Sequence, residues 1–495
     1  MRLHSAVLGM FLGLSGTAFG AGATAGGDAL HSNWLDTQVS PAQNFYQFAN
    51  GGWQKRHPIP AAYPAWGTFN ILQIHNETVI RQLIQNAAKE HAAPGSTTQK
   101  VGDFYASGMD EKLIDRVGVS PLSPEFDGIA SIRNLKDLQQ EVAHLQMLGV
   151  DVMFGIGQMQ DFKDSSKVIG IAAQGGLGLP DRDYYLKQDP KFTQIRAAYV
   201  AHVARSFELL GDGRDRAAAE AKTVMAIETG LAKASMSRIE ERNPHAIYHV
   251  MNLTELDRST PNFSWGDYFR QIGYPRISSI NLAMPRFFGA LGKDLRSLPL
   301  EQWQVYLRWR LIDAFAPYLS QPFVAEDFRM QSALTGALKL LPRWQRVVSA
   351  EDDALGFAVG KLYVEKEFPP SSKAQVLEIL HSVRAALKSD LATLQWMTPA
   401  TRQAAIAKLD LMGERIGYPD RWRDYSMLRI DRGPYVLNVM RANEFEQRRE
   451  LNKIGRPVDL EEWHMTPQEV NAYYSPPMNN INFPAGILQP PFFDP

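Results

Sequence analysis

Val470-Asn-Ala-Tyr-Tyr-Ser-Pro-Pro-Met-Asn-Asn-Ile-Asn-Phe-Pro-Ala-Gly-Ile-Leu-Gln-Pro-Pro-Phe-Phe493 is the stretch that decides the fold. Val470 to Tyr474 and Ile481 to Phe483 are strand-forming runs, and the Ser475-Pro-Pro-Met-Asn-Asn480 between them is turn-rich. Its apolar side chains Ile487, Leu488, Phe492 and Phe493 require a covering surface. A β-forming, nearly uncharged run of this kind differs from everything that precedes it.

Upstream, the dominant period is helical from about Thr78. Ile195, Tyr199, Val203, Phe207 and Leu210 recur every three or four residues, and Gly211 follows as a stop. Val376, Ile379, Leu380, Val383, Leu387 and Leu394 form a second stripe, expected to face a core. Thr398-Pro399 reads as an N-cap with proline at the first helical position, opening a helix through Leu409 to Met412. Residues 418–432 are rich in Asp, Arg, Trp and Tyr, and Gly433-Pro434 closes them as a connecting segment before a helix from about Tyr435 to Leu451. The fold class expected is therefore mainly α: a large multi-helix body, then the first β elements of another unit.

A chain of 495 residues exceeds one ordinary core, so two or more domains or one composite domain are expected. Hydrophobic residues at 45% and charged residues at 21% mark a globular chain. Lys+Arg 52 against Asp+Glu 53 gives a net charge of -1, which provides no electrostatic basis for a nucleic-acid partner. At the start, Arg2, the apolar run Ala6 to Leu14 and the small residues Ala18-Phe-Gly20 and Ala21-Gly-Ala23 form a signal-peptide pattern over residues 1–23. That apolar run is too short to span a bilayer, so no stable membrane insertion is expected and the compartment is periplasmic or extracellular. There are no cysteines, which excludes disulfides and thiolate metal sites.

The usual catalytic signatures are missing. There is no Gly-x-x-x-x-Gly-Lys-Ser/Thr loop and no Gly-x-Ser-x-Gly elbow, and Gly176-Leu-Gly178 reads as a turn. Neither zincin order of His and Glu occurs among the 11 histidines. His245-Ala-Ile-Tyr-His249 has the spacing to put two imidazoles on one helix face, yet Ala246 stands where a general-base Glu is needed. Pro244 and Met251-Asn-Leu-Thr254 favour a turn there.

Five blocks in order resemble the neprilysin-like, endothelin-converting-enzyme-like zinc metallopeptidases. They are Asn44-Phe-Tyr-Gln-Phe-Ala-Asn-Gly-Gly-Trp53 (followed by Ile59-Pro60 and Trp66-Gly-Thr-Phe69), Gly176-Leu-Gly-Leu-Pro-Asp-Arg-Asp-Tyr-Tyr-Leu186, Trp396-Met-Thr-Pro-Ala-Thr-Arg402, Ile416-Gly-Tyr-Pro-Asp-Arg-Trp-Arg-Asp-Tyr425, and Asn471-Ala-Tyr-Tyr474 with Phe483 to Phe493. The resemblance implies a helical N-terminal peptidase domain over 40–425, then a linker and the start of an incomplete thermolysin-like catalytic domain over 426–495. It implies zinc as the family cofactor, small peptides as substrates, and a cap that restricts access. The family's Asn-Ala pair, which lines the cleft and aligns extended substrate, maps to Asn471 and Ala472, with an Asn satisfying a neighbouring turn as the plainer alternative. Its zinc histidines, third-ligand Glu, general base and transition-state His map to nothing in these residues. The chain is thus expected to hold no zinc and no catalytic residue, and to be inactive alone. A non-catalytic peptide-binding or interaction protein, or one half of a split peptidase paired with a separately encoded catalytic half, is the alternative. Asn44 stands where many members are acidic, and Ala65 where neprilysin has a carboxylate-binding arginine, so dipeptide release is not implied.

Overall fold

The computed structural model describes residues 32–90 and 92–494. The signal-peptide pattern lies outside them. Among the described residues there are eighteen α-helices and seven strands, so the chain is mainly α. Ten helices position the site and are numbered here: α1 (Phe45–Arg56), α2 (Thr68–Lys89), α3 (Thr97–Met109), α4 (Pro190–Leu209), α5 (Arg214–Ala234), α6 (Leu300–Phe315), α7 (Arg343–Glu367), α8 (Pro370–Thr393), α9 (Pro399–Asp410) and α10 (Tyr435–Leu451).

Local chemistry sets many of their ends. Asn44 caps α1 by accepting a 3.0 Å bond from the Gln47 N–H. An acidic residue there would do the same work. Proline occupies the first turn of α4, α8 and α9, where its missing N–H costs nothing. Thr398 caps α9 through the Thr401 N–H at 3.2 Å.

The strands form two sheets. The first has the order β1-β2-β4-β3 and comprises β1 (Phe154–Gln160), β2 (Val168–Gln174), β3 (Val250–Asn252) and β4 (Ser279–Leu282). Helical periodicity alone did not announce it. Phe154 on β1 sits among Phe263, Trp265, Tyr268 and Phe288, each 5.5 Å away between ring centres. Four rings around one, each burying roughly 150–250 Å², make this a centre of the core.

The block Gly176 to Leu186 acts as a brace. Gly176 has φ +77°, and a side chain there would strike the Met153 backbone and the Tyr306 hydroxyl. Tyr306 Oη donates to the Gly176 carbonyl at 2.8 Å and accepts from the Met153 N–H at 2.9 Å. Tyr185 donates to Glu228 at 2.6 Å and Tyr199 donates to its other oxygen at 2.9 Å. Burial pushes the Glu228 carboxyl up to about 7, against the pull of Arg310 and both hydroxyls. The block is therefore a polar knot joining α4, α5 and α6.

The second sheet has the order β5-β7-β6: β5 (Gly413–Gly417), β6 (Tyr473–Ser475) and β7 (Asn480–Pro484). The central β7 runs parallel to β5 and antiparallel to β6. α10, which follows the expected linker, buries Tyr435, Val436, Val439 and Met440 in the core shared with the preceding helices.

Candidate functional site

The C-terminal run is held by buried polar contacts that no local sequence signal announces. Asn76 of α2 donates from one amide nitrogen to the carbonyls of Gln468 (3.3 Å) and Gly486 (3.0 Å), and Tyr363 of α7 donates to its oxygen at 3.0 Å. Gln468 itself donates to the Gly356 carbonyl of α7 at 2.9 Å and to Asp352. A side chain at Gly486 would lie 2.2 Å from the Gln468 carbonyl oxygen, so this crossing requires glycine. Ala485 is fully buried, and its N–H donates to Gly417 at 2.8 Å. The chain thus supplies part of the cover that Ile487 to Phe493 require. Leu488 packs on the core, and Phe492 meets Phe69 with ring centres 4.7 Å apart while staying 43% exposed.

This anchoring presents β6. Ala472 lies immediately before it and Asn471 one residue earlier, both outside the strand itself. The Asn471 amide oxygen accepts the Ala472 N–H at 2.9 Å, and its nitrogen lies 3.4 Å from Glu469. β6 pairs with β7 on one side, and its outer side meets no other strand among the described residues. An unpaired strand edge offers alternating N–H and C=O groups to an extended chain. A side-chain amide at its start can both donate and accept.

His245 and His249 do not share a helix. Residues 244–247 form a turn, with the His245 N–H bonded to Asn243 at 3.0 Å, and the His249 N–H is bonded to Asn281 at 2.6 Å.

The model of peptidase family M13, in its N-terminal part, matches residues 41–419. The chain belongs to peptidase family M13. Rat endothelin-converting enzyme 1 is 30% identical to it over 485 residues, covering 93% of this chain and 62% of that enzyme. Neprilysin-3 of Drosophila melanogaster is 30% identical over 491 residues, again covering 93% and 62%. The solved Mycobacterium tuberculosis zinc metalloprotease Zmp1, in complex with an inhibitor, superimposes with a TM-score of 0.90 at 38% identity, over 94% of this chain and 71% of that one. The chain therefore spans less than two thirds of each of these two curated relatives.

M13 is a zinc metallopeptidase family, and the described residues of this chain do not fit a zinc ion. Among the described residues no three His, Cys, Asp or Glu side chains converge on a point that could hold a metal. No step of zinc chemistry is assigned to any of them. No helix among the described residues is long and apolar enough to cross a membrane.

Proposed function

We propose that this chain forms the helical cap and one substrate-aligning wall of an exported M13 zinc metalloendopeptidase acting on small peptides. The observation that supports this most is the open edge of β6, introduced by Asn471 and Ala472 and pinned from behind by Asn76 and Gln468. An extended peptide laid along that edge gains main-chain hydrogen bonds, and the Asn471 amide, released from Ala472, adds a side-chain contact. The zinc ligands and the general base are supplied by peptidase sequence that these 495 residues do not contain, so the chain alone does not cleave peptides. The domain division at about residue 425, and export to a periplasm or the outside, belong to the same proposal. A mature N-terminus at or near Ala21 or Thr24, after the small residues that follow Leu14, is part of the same proposal.

The test is binding of a fluorescent decapeptide to the purified chain, with cleavage followed in the presence of added zinc. Binding without cleavage, weakened roughly 5–30-fold by Asn471→Ala through loss of about 1–2 kcal/mol of hydrogen bonding, is the expected result. Equal binding by both forms removes the wall assignment. Zinc-dependent cleavage by the chain alone shows that no further segment is required.

A further inference from the structure

α7 carries a seat for the residues that lead into β6. The helix is broken at Leu355, whose φ -133° and ψ 19° are non-helical. A side chain inserted into the backbone ladder is an ordinary cause of such a break, and two are inserted beside this one. Gln468 donates to the Gly356 carbonyl at 2.9 Å, and the Phe357 N–H donates to the Tyr425 hydroxyl at 3.3 Å. Gly356 and Gly360, one turn apart, leave the floor of the seat bare. A side chain at Gly356 would meet Thr466 at 2.5 Å, and one at Gly360 would meet Pro467 and Gln468, each at 2.6 Å. Pro467 and Gln468 are buried there.

Asp352, one turn before Gly356, closes the seat. The Thr466 hydroxyl lies 3.2 Å from both of its oxygens, and the Gln468 amide donates to one of them. Both partners are neutral, and a protonated carboxyl can still accept from the amide while donating to the hydroxyl. The charges set against Asp352 are acidic: Asp353 beside it on α7 and Glu469 on the C-terminal run. Glu351, on its other side, is buried, and its two oxygens have no hydrogen-bond partner among the described residues. Burial, then Asp352, hold the Glu351 carboxyl well above the usual range, so it stays protonated. Tyr435 of α10 faces Glu351, and burial holds its hydroxyl well above its ordinary value, so it too is uncharged. Burial, then Asp353 and Glu469, push the Asp352 carboxyl up to about 7 from an ordinary 3.8, against the pull of Gln468 and Thr466.

We infer that Asp352 is a positioning residue for the substrate-aligning edge: uncharged, it holds residues 466–468 in the seat on α7 and so fixes Asn471 and Ala472 against the helical body, and charged, it lets them go. The inference rests on the reading in the preceding subsection. Asp352 acts through Gln468 and the backbone that follows it, which reaches Asn471 three residues later. The seated state keeps a proton that the released state loses. Seating is therefore firmest below pH 3.8, weakens as pH rises from 3.8 to about 7, and is level above.

The test compares the purified 495-residue chain with Asp352→Asn, which keeps the bonds and cannot ionise, and with Asp352→Leu, which can neither bond nor ionise. Amide exchange in β6 and β7, corrected for the intrinsic rate, is followed from pH 4 to 7.5. Binding of a decapeptide with blocked ends and no ionisable side chain is measured over the same range. In the parent, protection of β6 and β7 is expected to fall at least tenfold with rising pH, and peptide affinity at least threefold. In Asp352→Asn neither is expected to change more than twofold. In Asp352→Leu both are expected to be low throughout. Protection of α4 at pH 4 in all three forms shows that each is folded. An equal fall in the parent and Asp352→Asn overturns the inference. So does an Asp352→Leu chain that matches Asp352→Asn in both readouts. Exchange that follows the expected pattern while peptide affinity ignores it overturns the positioning role and leaves Asp352 a support of the fold. The expected exchange pattern with no peptide bound by any form at any pH supports the proton-dependent seat and counts against the wall reading itself.

Discussion

α4 and α8 have similar lengths, and both open on proline and carry an apolar stripe at helical spacing, yet they end in opposite environments. α4 buries Ile195, Tyr199, His202, Val203, Ser206 and Phe207 against its neighbours. α8, four residues longer, buries Ser372 and Val376. Periodicity shows that a helix has an apolar face, but it does not say which polypeptide covers that face. Neighbouring elements decide it: α5 and α6 flank α4, whereas α8 has α9 and β5 on its polar side.

The contrast is most easily broken by truncation. Phe207→Ala should cost about 3–5 kcal/mol in denaturant unfolding, since a fully buried ring leaves a cavity. A loss below 1 kcal/mol would mean that α4 is not in the core described. The polar knot behind α4 gives the next largest effect, through pH. The Glu228 carboxyl sits at about 7 when folded against 4.5 ordinarily. The folded state therefore keeps a proton that the unfolded state has lost. Stability is full below pH 4.5, falls as pH rises from 4.5 to 7, and is level above. The difference amounts to roughly 3 kcal/mol. Glu228→Gln mimics the protonated form, so its advantage over the parent should grow across that window in paired melts at each pH. A gap independent of pH removes the assignment.

Asn76→Ala should cost about 1–3 kcal/mol, because it leaves two buried carbonyls and the Tyr363 hydroxyl without a partner. It should also speed proteolytic nicking between residues 466 and 494 while α4 stays intact. The smallest effect belongs to α8, where Val383→Ala should change stability by less than about 0.5 kcal/mol. A loss comparable to that of Phe207→Ala would erase the contrast between the two helices.

Local signals read true where the physics is local. The caps at Thr398, the helix Tyr435–Leu451 and the left-handed stop at Gly211 are set by neighbours a few residues away. β7 was legible from Ile481 to Phe483, whereas β6 begins at Tyr473, later than the Val470 expected. The β1–β4 sheet was missed, although Phe154-Gly-Ile-Gly-Gln-Met-Gln160 alternates in side-chain size as a strand does. β5 falls between the helix expected to end at Met412 and the connecting segment expected from Tyr418, and it went unassigned because its partner lies far along the chain. The clamp of Asn76 on Gln468 and Gly486 had no sequence signal, since those residues meet across about 400 positions of chain. The family blocks pointed to Asn471 and Ala472. The residues that hold them in place came from the structure.

The placement of β7 between β5 and β6 also orders events during synthesis. Gly413 pairs with Asn480, so β5 leaves the ribosome well before the strand that will complete it. At roughly 5–20 residues per second, the delay is on the order of several seconds. Throughout that interval β5 is a nascent edge able to recruit any extended segment nearby. Its sequence, Gly-Glu-Arg-Ile-Gly, sets two adjacent charges at the middle of a five-residue strand. Charges at Glu414 and Arg415 would discourage wrong pairing until β7 is made and takes its place beside β5.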